Sequence, residues 1–504
     1  MINSMKRLFN RKNQVLVITL FTVLSLMLGF LFLGKKDLSL DEIATALIVK
    51  DWSNMLHILT YTEGNMWLYY LLLHFWQVFG TNEFALRSLS VIFGSASIPV
   101  IYLLAKKLCN TRTATIAVLL TSLNVFFISN VQNTRAYSLV LLLTSLSAYF
   151  FVKFVLSSLA YNQNPQKKYL IFTILFNVLA VYTHLYALLV IASQIVALII
   201  TFRKKLLQGL YYFVPLLFIF ILPIAFLPSL HSGQINWIPF PGMRNLIGTL
   251  LILSSDFPPI AVIYLLLFGG FFVSVWKKRK KLQLFTASYW HIKYLFVWLL
   301  LPIVVSFLFS LLIKPLYISM YFIICLVPFT ILVSFFMTQI KPVWLQRLVL
   351  VMLILFSSVR LYGWHSGNQA LQLVISNNNE DWRGVANFLA NNAKSTDAIL
   401  FFPPYVQGNI NYYLQKNSKP FDKKREIAIQ PDMFSGSMGS EEYEQARLET
   451  IPANYHRLWY IYGNYTDRTR TKQESLINTA LVKNYVLARV VNFYAITAYL
   501  YIKK

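Results

Sequence analysis

Over the first 362 residues, long apolar stretches alternate with short basic connectors; after residue 376 the pattern changes to short amphipathic segments. The apolar runs fall near 14–34, 84–105, 113–130, 135–156, 169–183, 185–202, 210–228, 258–276, 294–313, 316–338 and 345–362. A hydrocarbon core takes about 20 helical residues to cross, so the pattern predicts about 11 spanning helices. The stretch from Tyr169 to Phe202 would be about 51 Å long as one helix, too long for a core of about 30 Å. Lys167 and Lys168 flank one end and Arg203, Lys204 and Lys205 the other, which predicts a hairpin turning at Tyr182-Thr183-His184. Tyr294 to Phe336 follows the same logic with Lys314-Pro315 at the turn, where proline disfavours helix at the preceding residue.

Two shorter segments, Leu40 to Val49 and Met66 to Phe79, carry apolar residues at helical spacing and predict amphipathic helices at the membrane interface. Beyond residue 376, periodicity predicts helices over 380–393 and 471–484 and strands over 397–402, 457–462 and 495–502. The predicted fold class is therefore an α-helical polytopic membrane protein with a small C-terminal α/β extracytoplasmic domain. Residues 1–362 form the membrane module, with a first external loop at 35–66 and an interfacial helix at 66–80, and residues 376–504 form the soluble domain.

Composition agrees. With 57% hydrophobic and 13% charged residues, the chain falls well short of the charge of soluble domains, about 25%. The net charge of +26 would suit nucleic acid, but the basic residues cluster at 106–112, 167–168, 203–205, 277–281 and 341–347, between apolar runs, as cytoplasmic flanks do. Lys6, Arg7, Arg11 and Lys12 precede an apolar stretch from Val15 to Leu33 that exceeds a signal-peptide core, so an uncleaved first span with a cytoplasmic N-terminus is expected. The C-terminal domain then lies outside. The two cysteines, Cys109 and Cys325, are too far apart in this topology to pair.

The seven acidic residues of the first 362, Asp37, Asp41, Glu42, Asp51, Glu63, Glu83 and Asp256, all fall on the predicted outer side. Simple charge segregation explains this as well as an acidic external site does. The predicted span interiors hold no Asp or Glu, which counts against an ion-coupled transporter. An enzyme acting on a lipid-linked substrate needs a carboxylate base and cations for a leaving phosphate, a role that suits the forked guanidinium of arginine. The external cations of the membrane module are Lys35, Lys36, Lys50, Arg87, Arg135, Arg244, Lys314 and Arg360. The C-terminal domain shows no Gly-rich phosphate loop or metal-ligand spacing, which favours support or acceptor recognition over catalysis.

At these residues the chain resembles the bacterial GT-C glycosyltransferases, near the protein O-mannosyltransferases and the lipid A aminoarabinose transferases. Leu38-Ser39-Leu40-Asp41-Glu42 is similar to that superfamily's Asp-Glu motif, and Leu68-Tyr69-Tyr70-Leu71-Leu72-Leu73-His74 through Phe84-Ala85-Leu86-Arg87 to its interfacial helix and second span. Gln132-Asn133-Thr134-Arg135-Ala136-Tyr137 resembles its Gln-Glu-x-Arg-x-Tyr element; Tyr182-Thr183-His184-Leu185-Tyr186 and Trp237-Ile238-Pro239 are similar to further signatures. Glu380-Asp381-Trp382-Arg383 and Asp397-Ala398-Ile399-Leu400 resemble the start of its outer domain.

The resemblance implies inverting transfer of a sugar from a polyprenyl-phosphate donor to a lipid, glycan or protein acceptor. Asp41 would be the general base and Glu42 would orient the acceptor or hold Asp41. Arg135 and Tyr137, with Lys314, would bind the donor phosphate, while Tyr69, His184 and Trp237 would contact substrate; a divalent cation is the one cofactor in question. Three positions depart from the pattern: Asn65-Met66-Trp67 replaces His-Pro-Pro, Asn133 replaces a glutamate, and Met320-Tyr321 replaces an Arg-Tyr pair. The residues leave open two other classes: a lipid-carrier-binding protein or flippase without chemistry, and an envelope glycan ligase or polymerase.

Overall fold

The computed structural model describes residues 2–61, 63–157, 166–202, 238–277, 290–371, 373–375, 380–402, 405–416, 426–428, 455–463 and 471–504. The chain divides into two compact units, the second made of residues 34–48 together with the described residues from 380 onward. Residues 34–48 thus leave the remainder of the first external loop and join the C-terminal unit.

The membrane unit runs through α1 (Ile2–Phe30), α2 (Leu40–Lys50, largely in the second unit), α3 (Trp52–Tyr61), α4 (Trp67–Trp76), α5 (Glu83–Leu108), α6 (Thr111–Ser122), α7 (Val125–Val131), α8 (Tyr137–Val155), α9 (Lys167–Thr183) and α10 (Ala187–Phe202). It continues with α11 (Met243–Leu253), α12 (Pro258–Lys277), α13 (Trp290–Leu312), α14 (Ile323–Thr338) and α15 (Val343–Ser366). Among the described residues, 6 helices are long and apolar enough to cross a membrane, or up to 8 if each bent pair is one span. The predicted run at 210–228 lies outside the described residues. The run from Tyr169 to Phe202 divides into α9 and α10 at His184-Leu185-Tyr186, as its length required.

The predicted span at 113–130 is instead broken into α6 and α7, bent by 61°, and α11 and α12 meet at 92°. Each break exposes backbone groups that lipid cannot satisfy, and the two breaks satisfy each other. Asn124 caps α7 by accepting from the Phe126 and Phe127 N–H groups, and its own amide donates to the Leu253 carbonyl at 2.9 Å. Ser255, in the second break, accepts from the Val125 N–H at 2.9 Å. Deeper in the bundle Ser147, Asn177 and Gln194, from α8, α9 and α10, close a buried ring of hydrogen bonds.

Arg360 of α15 is fully buried and pairs with Asp256 at 2.8 Å. Asp256, in the left-handed region at φ 51, also accepts the N–H groups of Leu373, Val374 and Ile375. This carboxylate pins the segment that follows the last span.

The second unit builds a five-stranded sheet in the order β2-β1-β3-β5-β4. Its strands are β1 (Ala398–Phe402), β2 (Glu426–Ala428), β3 (Arg457–Gly463), β4 (Tyr485–Phe493) and β5 (Ile496–Lys503); β1 runs parallel to β2 and β3, while β5 is antiparallel to β3 and β4. Helices α16 (Trp382–Asn392), α17 (Tyr405–Lys416) and α18 (Thr471–Asn484) accompany it. Ile477 and Leu481 of α18 pack on Leu400, Leu458 and Tyr460 to form its core. Strand β4, absent from the sequence reading, is an edge strand that exposes Val486, Leu487 and Val490, so it lacks the alternation that announces a half-buried strand.

Candidate functional site

The two units hold different parts of the predicted chemistry. In the membrane unit, Arg135 and Tyr137 sit where α7 ends and α8 begins, both largely buried. Arg135 donates from Nη1 to the Tyr70 hydroxyl at 3.3 Å, and its Nη2 lies 3.7 Å from Glu63 Oε1. Tyr70 in turn donates to Glu63 Oε1 at 2.7 Å. Tyr69, one residue earlier on α4, is buried against Ser90, its hydroxyl 2.8 Å from Ser90 Oγ; Ser90 also donates to the Arg135 carbonyl.

Beside this arginine lies an aromatic cluster. His184, at the break between α9 and α10, places its ring 4.6 Å from Tyr321 and 6.1 Å from Tyr137, centroid to centroid. Tyr186 packs edge-on against Tyr321 at 4.9 Å. Burial, and secondarily the charge of Arg135, lower the His184 pKa to about 3. The imidazole is neutral at physiological pH and adds no positive charge to Arg135. The Asn65 amide bridges the break, accepting from the Leu185 N–H at 3.2 Å and approaching His184 Nε2 at 3.4 Å. Met66 follows at φ 68, in the left-handed region. Proline, fixed near φ −65°, cannot adopt that conformation, so Asn65-Met66 in place of His-Pro is matched by the backbone itself.

Lys314 is half-buried at the Pro315 turn after α13. The turn is held to the cluster two residues on, where the Tyr186 hydroxyl donates to the Leu316 carbonyl at 2.5 Å. Among the described residues no hydrogen bond or ion pair joins Lys314 to Arg135 or Tyr137. Trp237 lies outside the described residues.

In the second unit, Asp41 is exposed in the first turn of α2, where the helix dipole favours negative charge. Its neighbours take structural partners. Glu42 is buried and accepts from the Ser39 N–H at 2.9 Å, the return half of a capping box that the Ser-x-x-Glu spacing announces. Asp37 pairs with Arg383 at 3.0 Å and accepts from its backbone N–H, while the Leu38 N–H donates to the Tyr413 hydroxyl at 2.8 Å. These contacts tie the Asp-Glu segment to α16 and α17.

Glu380 just precedes α16, is 6% exposed, and its Oε2 has no hydrogen-bond partner among the described residues. Burial, and more weakly the charge of Asp41, raise its pKa to about 7. The burial of Glu380 is decided by packing and not by any local pattern. Among the described residues, no three His, Cys, Asp or Glu side chains group in a way that would hold a metal ion.

Residues 65–228 match the dolichyl-phosphate-mannose-protein mannosyltransferase family. Apo ArnT from Cupriavidus metallidurans is similar over 96% of this chain and 97% of its own, with a TM-score of 0.57 at 13% identity. The same protein bound to undecaprenyl phosphate gives a TM-score of 0.53 at 12% identity over the same shares, 96% and 97%. The oligosaccharyltransferase AglB from Archaeoglobus fulgidus, in complex with an inhibitory peptide and a dolichol-phosphate, gives 0.51 at 10% identity over 97% of this chain and 74% of its own. No curated protein sequence matches the chain. The protein is a multi-pass membrane protein with the GT-C fold, the architecture of these membrane glycosyltransferases.

Proposed function

We propose that the protein is an inverting glycosyltransferase that moves a sugar from a polyprenyl-phosphate donor to an envelope acceptor at the outer face of a bacterial inner membrane. The observation that carries this reading is the exposed Asp41 at the head of α2, flanked by Asp37 and Glu42, whose carboxylates hold the segment in place. Asp41 is the general base: it takes the proton of the acceptor hydroxyl as that oxygen attacks the anomeric carbon and the bond to the phosphate oxygen breaks. Arg135 and Tyr137, with Lys314, receive the leaving phosphate. Glu42 acts on the acceptor only indirectly, by fixing the first turn that bears Asp41.

The test is mass spectrometry of envelope glycans and polyprenyl lipids from a null strain complemented with the original chain or with Asp41→Asn. At matched membrane abundance the variant should lose about 10²–10⁴-fold in product and accumulate sugar-charged lipid. Equal complementation would remove Asp41 as base and turn the reading to a lipid-carrier-binding protein or flippase. A change in polymer length, with no change in single-sugar modification, would turn it to a ligase or polymerase.

A further inference from the structure

Three consecutive residues lead into α2, and each is held by a different group. Asp37 accepts from the Arg383 N–H at 2.8 Å and pairs with its guanidinium at 3.0 Å. The Leu38 N–H donates to the Tyr413 hydroxyl at 2.8 Å, and the Ser39 N–H donates to Glu42 at 2.9 Å. The first two holds come from 346 and 375 residues further along the chain, yet every group involved belongs to the second unit. Arg383 and Tyr413 also meet each other, the guanidinium carbon lying 5.6 Å from the ring centroid, within the range of cation–π attraction. Together they make a two-pronged clamp, with α16 supplying the cation and α17 the hydroxyl.

Each prong is firmly based. Arg383 lies in the first turn of α16, where backbone N–H groups lack intrahelical acceptors and the dipole favours negative charge, so the Asp37 carboxylate suits both its backbone and its side chain. Tyr413 is 1% exposed, which fixes the place of its hydroxyl. With residues 37, 38 and 39 fixed in succession, the start of α2 has one orientation. Leu38 and Ile43 are buried, and Asp41 is left on the exposed side. The Asp37–Arg383 pair has side chains 11% and 39% exposed, and such pairs add little to global stability. Its effect is local, on where Asp41 stands, and a misplacement of about 1 Å can cost about 10²-fold in rate.

We propose that Arg383 and Tyr413 are positioning residues for sugar transfer: through Asp37 and Leu38 they set the place of Asp41, which makes the second unit part of the catalytic apparatus and not only a support. This rests on the reading of Asp41 as the general base. Removing either prong frees the segment before α2 and lets Asp41 depart from the geometry in which it takes the acceptor proton.

The experiment compares the full chain with Tyr413→Phe, Arg383→Gln, Asp37→Asn and the double variant Asp37→Asn/Arg383→Gln. Hydrogen exchange in detergent should be about tenfold faster over residues 37–45 in each variant, while β3 and β5 keep their protection. In the complemented null strain at matched membrane abundance, Tyr413→Phe and Arg383→Gln should each lose about tenfold in product. The double variant should fall no more than about threefold below Arg383→Gln, because both changes open one contact. Undecaprenyl phosphate, measured by native mass spectrometry, should bind each variant within about threefold of the original, since turnover falls without loss of ground-state binding. Loss of turnover with that binding intact is what a merely structural pair would not give. Unchanged exchange, unchanged product, multiplied losses in the double variant, or weaker phosphate binding in step with product would each overturn the proposal. Should Tyr413→Phe fail to fold, Arg383→Gln and Asp37→Asn decide by the same criteria. If Asp41→Asn complements as well as the original, the base reading fails and the proposal falls with it, whereas full activity in the clamp variants beside an inactive Asp41→Asn leaves that reading standing.

Discussion

Arg360 with Asp256 and Arg135 with Glu63 use the same two functional groups in the same membrane unit and reach opposite states. The first pair is fully buried and closed, and its carboxylate also takes three backbone N–H groups. The second keeps a tyrosine between its charges and leaves its side chains 10% and 17% exposed. A closed, desolvated pair is a fastener: either partner alone would be an uncompensated buried charge. A spaced pair with a hydroxyl between its charges gains less from direct attraction than a closed one. Glu380 in the second unit is a third case, a buried carboxyl with no ion pair among the described residues, and its environment answers by raising the pKa to about 7.

The sharpest way to break this comparison is at the fastener. Asp256→Ala should destabilise the protein by about 3–5 kcal/mol, because it strands the Arg360 charge and three N–H groups. Thermal unfolding in detergent measures this, and an unchanged midpoint would contradict the assignment.

Glu380 should show itself through pH. Its carboxyl titrates near 4.5 when unfolded and at about 7 when folded, so the folded chain holds the extra proton between those values. Its stabilising contribution is complete below pH 4.5 and disappears as pH rises through about 7, so stability should fall across that window. Glu380→Gln should flatten this part of the stability profile, and a slope identical to the original would assign it to other groups.

Asn177→Leu opens the Ser147–Asn177–Gln194 ring without removing a charge, and about 1 kcal/mol of stability should go, the usual worth of such bonds between membrane helices. The smallest effect is expected at the spaced pair, where Glu63→Gln should change stability by less than about 1 kcal/mol. A loss there as large as that of Asp256→Ala would make both pairs fasteners and erase the distinction.

The sequence by itself determined the fold class, apolar helices followed by a small α/β region, because hydropathy and strand patterning are local and each segment carries its own record; it placed residues 35–48 with the membrane module, and the structure groups them with the second unit. The Ser39-x-x-Glu42 spacing is equally local, yet Glu42 was expected to orient the acceptor or hold Asp41, and its bond to the Ser39 N–H is a finding of the structure. The tertiary structure decided which cations are already engaged. Arg360 and Arg135 are both arginines near the ends of apolar runs, yet the partner of one lies 104 residues away and the tyrosine bridging the other lies 65 away. No periodicity encodes such a meeting. The mutual repair of the two broken spans at Asn124 and Ser255 was likewise invisible, since an apolar run reads as continuous whether or not its backbone bends. Hydrophobicity is a property of a segment, whereas the state of a charge depends on every group that surrounds it, and those groups come together only when the chain is folded.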